Sequence, residues 1–169
     1  SLRNVLCVSE ENRDSLLELI RMTYAMLPEA RRSAFENAQI LDLSRKKKKA
    51  LVLIHSVAAA AAGTGAIPIP GSDAPILMAQ QMGMIASIAA IYGMVEETIK
   101  AAVLPMVAKT VGMATAASLI KLVPGLGSVV QAGVAASITE AIGLYTLNYV
   151  EGLAEARILN KAPEIKPFD

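Results

Sequence analysis

The chain has 169 residues, a formal net charge of +1 and a hydrophobic content of 54%, with one cysteine, one histidine and no tryptophan. A single cysteine excludes an internal disulfide, and one Cys with one His gives no support to a zinc or iron–sulfur site. We therefore expect no metal and no cofactor. The start of the chain carries no secretory signal, and we expect a cytoplasmic protein.

The first 49 residues are polar and charged compared with the rest. Residues 4–9 are mostly apolar and end at a charged turn, which predicts a short buried strand. Asp14 is the predicted N-cap of the helix that follows, where apolar residues recur at helical spacing. Pro28 either opens a second helix or kinks the first. Residues 29–49 then predict one polar helix.

That polar helix ends in a basic run, defined here as Arg45, Lys46, Lys47, Lys48 and Lys49. Three interpretations are open: a solvated helix face, a nucleic-acid contact, or a contact with anionic lipid headgroups. Nucleic acid is the weakest, because no aromatic residues interleave and no second basic face exists. The long uncharged segment that follows favours the headgroups, where each basic side chain contributes about 1 kcal/mol. We expect a membrane-surface role for the run, on the cytoplasmic side of the membrane.

A proline-rich hinge divides the uncharged region into two arms. Asp73 is the only charged residue between positions 50 and 95. The arms, 50–72 and 74–95, are each about long enough to cross a hydrocarbon core of roughly 30 Å as a helix. We expect the first arm to be enclosed on all sides, and the second to end at Gly93. The hinge residues that we expect to set the turn are Pro68, Pro70, Asp73 and Pro75.

A second hairpin follows, from about Val95 to Leu159, with a predicted kink near Pro105 and a Pro/Gly turn at 123–128. Lys109 and Glu140 interrupt its helices, and a charge at mid-bilayer costs roughly 2.5–3.5 kcal/mol. This hairpin therefore resembles a bundle element more than two membrane spans. Small residues at helical spacing predict packing seams in both hairpins. The seam residues are Gly83, Ser87, Ala90, Gly133, Ser137 and Ala141.

The sequence contains no catalytic constellation. His55 has no nucleophile partner in a known motif, and a lone histidine on an apolar helix is usually a satisfied buried residue. The adjacent Glu96 and Glu97 point in different directions on a helix. Neither Gly-rich turn is a P-loop, since G-x-x-x-x-G-K-[ST] is absent. We expect a protein that is not an enzyme.

Three motifs carry a resemblance to a known family: an I-P-I-P-x-x-D turn at 67–73, a Gln-x-x-M-I helix at 81–85, and I-Y-G at 91–93. In these the chain resembles the uncharacterised helical domain that follows the G domain in bacterial Era-like small GTPases. Related domains occur in bacterial inner-membrane proteins. Residues 4–9 and 14–20 are similar to the last strand and helix of such a G domain, although Glu10 departs from its Ser-Ala motif.

The resemblance divides the chain into four parts. Residues 1–28 resemble the end of a GTPase domain, 29–49 form a basic connecting helix, 50–160 form the apolar hairpin domain, and 161–169 form a flexible tail. The fold class that we expect is all-α: a bundle of helical hairpins with Pro/Gly turns, preceded by a short strand and a polar helix. The missing P-loop indicates either a piece of a longer GTPase or a relative that has lost nucleotide binding.

Two functions are consistent with this sequence. The first is an accessory domain of a GTPase-like protein, associating with an anionic membrane and forming homo-oligomers through its hairpins. A G domain would then be its partner, in cis or in trans, and its location would be the inner face of the bacterial membrane. The alternative is a soluble helical bundle that self-associates without lipid contact. A pore-former shares the composition but lacks an export signal.

Overall fold

The computed structural model describes residues 6–9, 12–66, 74–118 and 127–159, and these form six helices and no strand. The all-α prediction is confirmed. The helices are α1 Arg13–Met26, α2 Glu29–Ala38, α3 Leu43–Gly65, α4 Ala74–Ile91, α5 Glu96–Ser118 and α6 Gly127–Leu159.

The short strand predicted for 4–9 is not seen. Residues 6–9 have no regular structure, and Cys7, Val8 and Ser9 are exposed. A strand needs a neighbour to take up its backbone hydrogen bonds, and the described part of the chain supplies no second strand. The apolar pattern alone therefore misled the prediction.

Side-chain caps set the beginnings of the first helices. The Oδ1 atom of Asn12 accepts hydrogen bonds from the backbone amides of Asp14 and Ser15, at 3.1 and 3.2 Å. Asn12 is thus the N-cap of α1, and the prediction of Asp14 was wrong by one half-turn. Asp14 lies in the first turn, where its charge suits the positive end of the helix dipole. Pro28 directly precedes α2, so it opens the second helix.

The single polar helix predicted for 29–49 is in fact two helices. The Oε1 atom of Gln39 accepts from the backbone amide of Asp42 at 2.8 Å, and Asp42 Oδ1 accepts from the amide of Arg45 at 3.1 Å. These bonds satisfy backbone groups between the helices and make Asp42 the N-cap of α3. The basic run therefore begins the same helix as the apolar arm that follows it.

Gly93 ends the second arm, as predicted. It has φ of 64°, a conformation that glycine adopts without a Cβ penalty. The amide of Gly93 donates to the carbonyl of Ala90 at 3.1 Å, and the amide of Met94 donates to that of Ala89 at 2.9 Å. This pair of bonds is a Schellman motif, and it closes α4.

Helices α3 to α6 form the bundle and its hydrophobic core. α3 and α6 run antiparallel, since Lys47 contacts Glu151 at one end while Ala61 and Ala135 share a buried cluster towards the other. In contrast, α1 has no buried residue and the only buried residue of α2 is Glu36. The largest fully buried apolar residues of the bundle are Ile54, Met84, Ile85, Ile88, Ile99, Val103, Val107, Ile142 and Val150.

Gly143 allows a close approach between α3 and α6. A Cβ atom at this position would lie 2.8 Å from both Cγ1 and Cγ2 of Ile54, and 3.0 Å from the sulfur of Met84. These distances are shorter than van der Waals contact. The bundle therefore depends on the missing side chain at position 143.

The first apolar arm is not enclosed on all sides. Ala50 and Ile54 are fully buried, but Val52 is 71% exposed and Ala59 is also exposed. In a four-helix arrangement each helix has neighbours on its inner side only, so α3 keeps a face at the surface. The hinge residues Pro68, Pro70 and Asp73, positions 123–126 of the predicted turn and the predicted tail at 161–169 lie outside the described residues. The last two residues of the predicted turn, Gly127 and Ser128, begin α6 instead.

Pro75, which was expected to help set the hinge turn, lies in the first turn of α4. Backbone amides of the first turn have no partner within the helix, so the missing amide hydrogen of proline costs nothing there. The helix α5 continues through Pro105 as one element.

Candidate functional site

The basic run occupies the first turns of α3, next to α2 and to the carboxyl end of α4. Its placement depends on Asp42, which is buried and caps α3. Burial opposes ionisation of this carboxyl, but hydrogen bonds from Ser44 and Arg45 outweigh it and hold the pKa of Asp42 below its usual value. A carboxylate therefore lies at the positive end of α3.

Lys46 is the buried member of the run, with 1% of its surface exposed. Its Nζ atom donates to the carbonyl oxygens of Asn37 and Ile91, at 2.8 and 2.6 Å. Both carbonyls belong to the last turns of their helices, where no intrahelical amide is available and the dipole is negative. One ammonium group thus joins the carboxyl ends of α2 and α4.

Burial also affects the protonation of Lys46. Loss of hydration is the main cause that lowers its pKa to about 8, and the nearby Lys49 acts in the same direction, while Glu36 opposes them. The ring of Tyr92 lies beside the ammonium, with its centre 5.8 Å from Nζ. The group is held by two carbonyl dipoles and an aromatic face.

The neighbours of Lys46 in the run contact the front of the chain. Nζ of Lys49 donates to Ser33 Oγ at 2.9 Å and to Asn37 Oδ1 at 3.1 Å, and it lies 3.6 Å from Glu36 Oε2. Nε of Arg45 lies 3.9 Å from Glu36 Oε1, and the Arg45 guanidinium lies 4.0 Å from the centre of the Tyr24 ring. These two cations therefore bind α1 and α2 to α3.

Lys47 points the other way, towards α6. Its Nζ atom lies 2.8 Å from Glu151 Oε2, and the hydroxyl of Tyr92 donates to Glu151 Oε1 at 3.3 Å. Burial and the charge of Glu151 raise the pKa of Tyr92 far above its usual range. Glu151 of α6 therefore contacts α3 and the residue that directly follows α4, at one end of the bundle.

Four of the five basic side chains are thus held by partners within the chain. Lys48 is exposed and has no polar partner among the described residues. In this conformation the ammonium of Lys46 is out of reach of a lipid headgroup. The membrane-surface role of the run stays a prediction, and the structure adds a second role, which is to join helices.

The outward side of α4 is a second candidate site. We define the outer face of α4 as its exposed residues, which are Ala74, Pro75, Ile76, Met78, Ala79, Gly83, Ser87 and Ala90. The whole helix, Ala74–Ile91, carries no charged residue and has a mean hydropathy of 1.5 over 18 residues. It is the one helix in the described parts of the chain that is long and apolar enough to cross a membrane.

The two predicted seams lie at the surface. Gly83, Ser87 and Ala90 are exposed, as are Gly133 and Ser137, while Ala141 is half-buried. A Cβ atom at Gly83 or Gly133 would meet no atom of another described element within 4 Å. Among the helices that the structure describes, Gly83 and Gly133 therefore do not bring helices together, and that part is played by Gly143. Packing between chains through the seams stays a prediction.

His55 is exposed, which corrects the expectation of a buried residue. Its Nδ1 atom lies 3.1 Å from Glu140 Oε1, across the contact between α3 and α6. Glu140, which was expected to interrupt an apolar helix, has its partner there. The described residues contain no group of three or more His, Cys, Asp and Glu side chains suited to a metal ion.

Sequence analysis did not single out Glu36, Tyr92 or Glu151 as partners of the basic run. One signal in the sequence indicated that acidic partners exist: five adjacent cations on a helix repel each other unless negative charges lie nearby. The sequence does not say where those counter-charges lie, because Lys47 and Glu151 are 104 positions apart.

Comparisons with known proteins give no relatives. A scan against protein-family models finds no match, and searches among curated proteins and solved structures find none either. The resemblance to the helical domain of Era-like GTPases therefore stays a prediction from the motifs at 67–73, 81–85 and 91–93.

Proposed function

We propose that the chain is a non-catalytic accessory domain of a GTPase-like protein that associates with a membrane through the outer face of α4. One observation carries the proposal: an uncharged helix of 18 residues is only 39% buried. Length and composition alone also describe core helices of soluble proteins, but such helices are mostly buried. In α4, seven of the 18 residues are buried, and the others are exposed or half-buried.

The chemistry of this face suits contact with lipid. Ile76 and Met78 are 45% and 46% exposed, and the remaining exposed residues of the helix are small. Exposed apolar area costs about 25 cal/mol per Å² in water, and contact with acyl chains removes that cost. Because the opposite side of α4 packs in the bundle, we propose that the helix lies against the membrane rather than crossing it alone.

The link to a GTPase depends on the motifs of the hinge and of α4. We propose that a G domain, in the same chain or in a partner, controls when this domain reaches the membrane. The proposed location is the cytoplasmic face of a bacterial inner membrane. Attraction between basic residues and anionic headgroups would strengthen the binding that the apolar face provides. Lys48 is exposed and is therefore available for such a contact.

Liposome flotation tests the proposal. The chain should float with vesicles that contain anionic lipid, and the double variant Ala79→Glu/Ala90→Glu should stay at the bottom, because it places two charges on the outer face of α4. Ala25→Glu/Ala30→Glu is the matched control, since it adds the same two charges at exposed positions of α1 and α2. Equal flotation of the double variant and the wild type would exclude this face as the lipid contact.

The position of the seams favours a second candidate function, a soluble module that self-associates. Gly83 and Gly133 are exposed and have free space around them, which would let another helix approach closely. In this case the wild type would not float, and light scattering after size exclusion would show a defined oligomer without detergent. Gly83→Leu with Gly133→Leu would dissociate that oligomer.

A further inference from the structure

The front pair, defined as α1 and α2, is attached to the bundle by polar contacts. No residue of α1 is buried, and the one buried residue of α2 is the charged Glu36. By contrast, α3 to α6 share a continuous apolar core. The front pair is therefore held mainly by polar contacts and the bundle mainly by its apolar core, and salt weakens mainly the first.

The contacts of the front pair converge on the basic run. Glu36 lies between Arg45 and Lys49, at 3.9 and 3.6 Å. Lys49 also binds Ser33 and Asn37, and Lys46 binds the carbonyl of Asn37. All these contacts come from one turn and a half of α2.

α1 follows α2 because the two are joined. Nε of Arg32 in α2 donates to the carbonyl of Leu27 at 3.0 Å, and its guanidinium lies 5.5 Å from the centre of the Tyr24 ring. The guanidinium of Arg45 lies 4.0 Å from the centre of that same ring. Separation of α2 from the bundle would therefore carry α1 with it.

We propose that the front pair is a releasable cover, which leaves the folded bundle as a unit and thereby exposes Arg45, Lys46 and Lys49. The acceptors of α2 and an anionic surface compete for the same three cations. Before release, the basic run binds acceptors in α2. After release, the same side chains are free to bind an anionic surface. The identity of that surface as anionic lipid rests on the proposed function.

Hydrogen exchange of the full chain tests the cover. In Glu36→Gln, amides of α2 should exchange about tenfold faster than in the wild type, while those of α4 and α6 are unchanged. Salt at about 1 M, where the Debye length is about 3 Å, should have the same effect on the wild type. Glu29→Gln is the matched control, since it removes the same charge from an exposed position in α2.

Two exchange results would overturn the cover. In one, α2 exchanges at the same rate in Glu36→Gln as in Glu29→Gln. In the other, α2 and the bundle accelerate together, which would make them one cooperative unit. Lys49→Gln removes the opposite partner of the same ion pair and should reproduce the release.

Flotation with vesicles of anionic lipid tests whether release of the front pair exposes basic side chains that bind the lipid. Glu36→Gln should bind several-fold more than Glu29→Gln, although both variants have the same net charge. Equal binding by the two would overturn the competition between α2 and an anionic surface. If neither variant nor the wild type floats while exchange shows release, the membrane function fails and the cover stands.

Discussion

Nζ of Lys46 lies 2.6 Å from the carbonyl oxygen of Ile91, the last residue of α4. A lysine from a run that looks like a surface feature therefore stabilises the end of the most apolar helix. The same ammonium reaches Asn37 near the end of α2. This buried ammonium group therefore contacts both the front pair and the bundle at their junction.

The protonation of Lys46 predicts how stability changes with pH. Its pKa in the folded chain is about 8, below the ordinary 10.5, so the folded chain loses this proton first. Between these values the unfolded chain binds more protons, and stability rises with pH. We expect a gain of about 2 kcal/mol between pH 8 and about pH 10, measured by urea unfolding.

Substitutions of single lysines separate the contribution of Lys46 to this pH dependence from that of other groups. Lys46→Met should lose the rise, whereas Lys48→Met, at the exposed position two residues on, should keep it. Above about pH 10 the trend should reverse in both the wild type and Lys48→Met, because Tyr92 stays protonated in the folded chain while it ionises in the unfolded one. An identical pH profile for Lys46→Met and the wild type would contradict the assignment.

A methyl group at Gly143 should destabilise the bundle. It would lie 2.8 Å from two carbons of Ile54, and overpacking of this kind costs about 1–3 kcal/mol. Gly133→Ala, in the same helix with free space around it, should instead stabilise by about 0.5–1 kcal/mol through helix propensity. Denaturant midpoints of the two variants should therefore move in opposite directions, and a stable Gly143→Ala would show that α3 and α6 are not packed as described.

The buried hydrogen bond between Gln81 and Thr139 predicts a non-additive pair of substitutions. Gln81 Nε2 donates to Thr139 Oγ1 at 3.2 Å, and both residues are buried. Thr139→Val leaves this donor unpaired and should cost about 1–3 kcal/mol. The double variant Gln81→Leu/Thr139→Val removes both groups and should cost less than the sum of the single changes. Strictly additive effects would mean that the two side chains do not interact.

Local signals in the sequence were sufficient to predict the helical fold. The end of α4 at Gly93 follows from glycine's tolerance of positive φ. The break at 39–42 was missed because it depends on side chains of Gln39 and Asp42 that bind nearby backbone groups.

Long-range contacts explain what sequence reasoning missed at the candidate site. The basic run was correctly noticed, but its partners Ile91 and Glu151 lie 45 and 104 positions away. The seams at Gly83 and Gly133 show the same limit of sequence reasoning. Helical spacing places small residues on one face of a helix, but it does not say whether that face is buried in the bundle. Gly143, in the same helix as Gly133, proved to be the glycine that packs.

The contact between the outer face of α4 and lipid is the central claim, and a local probe measures it most directly. Ser87→Cys in a Cys7→Ser background carries an environment-sensitive fluorophore on this face, and Ala30→Cys in the same background carries it at an exposed position of α2 as a control. With anionic vesicles, the emission at position 87 should shift to the blue and be quenched by brominated acyl chains, whereas position 30 should show neither effect. An unquenched probe at position 87 in vesicle-bound protein would contradict the account.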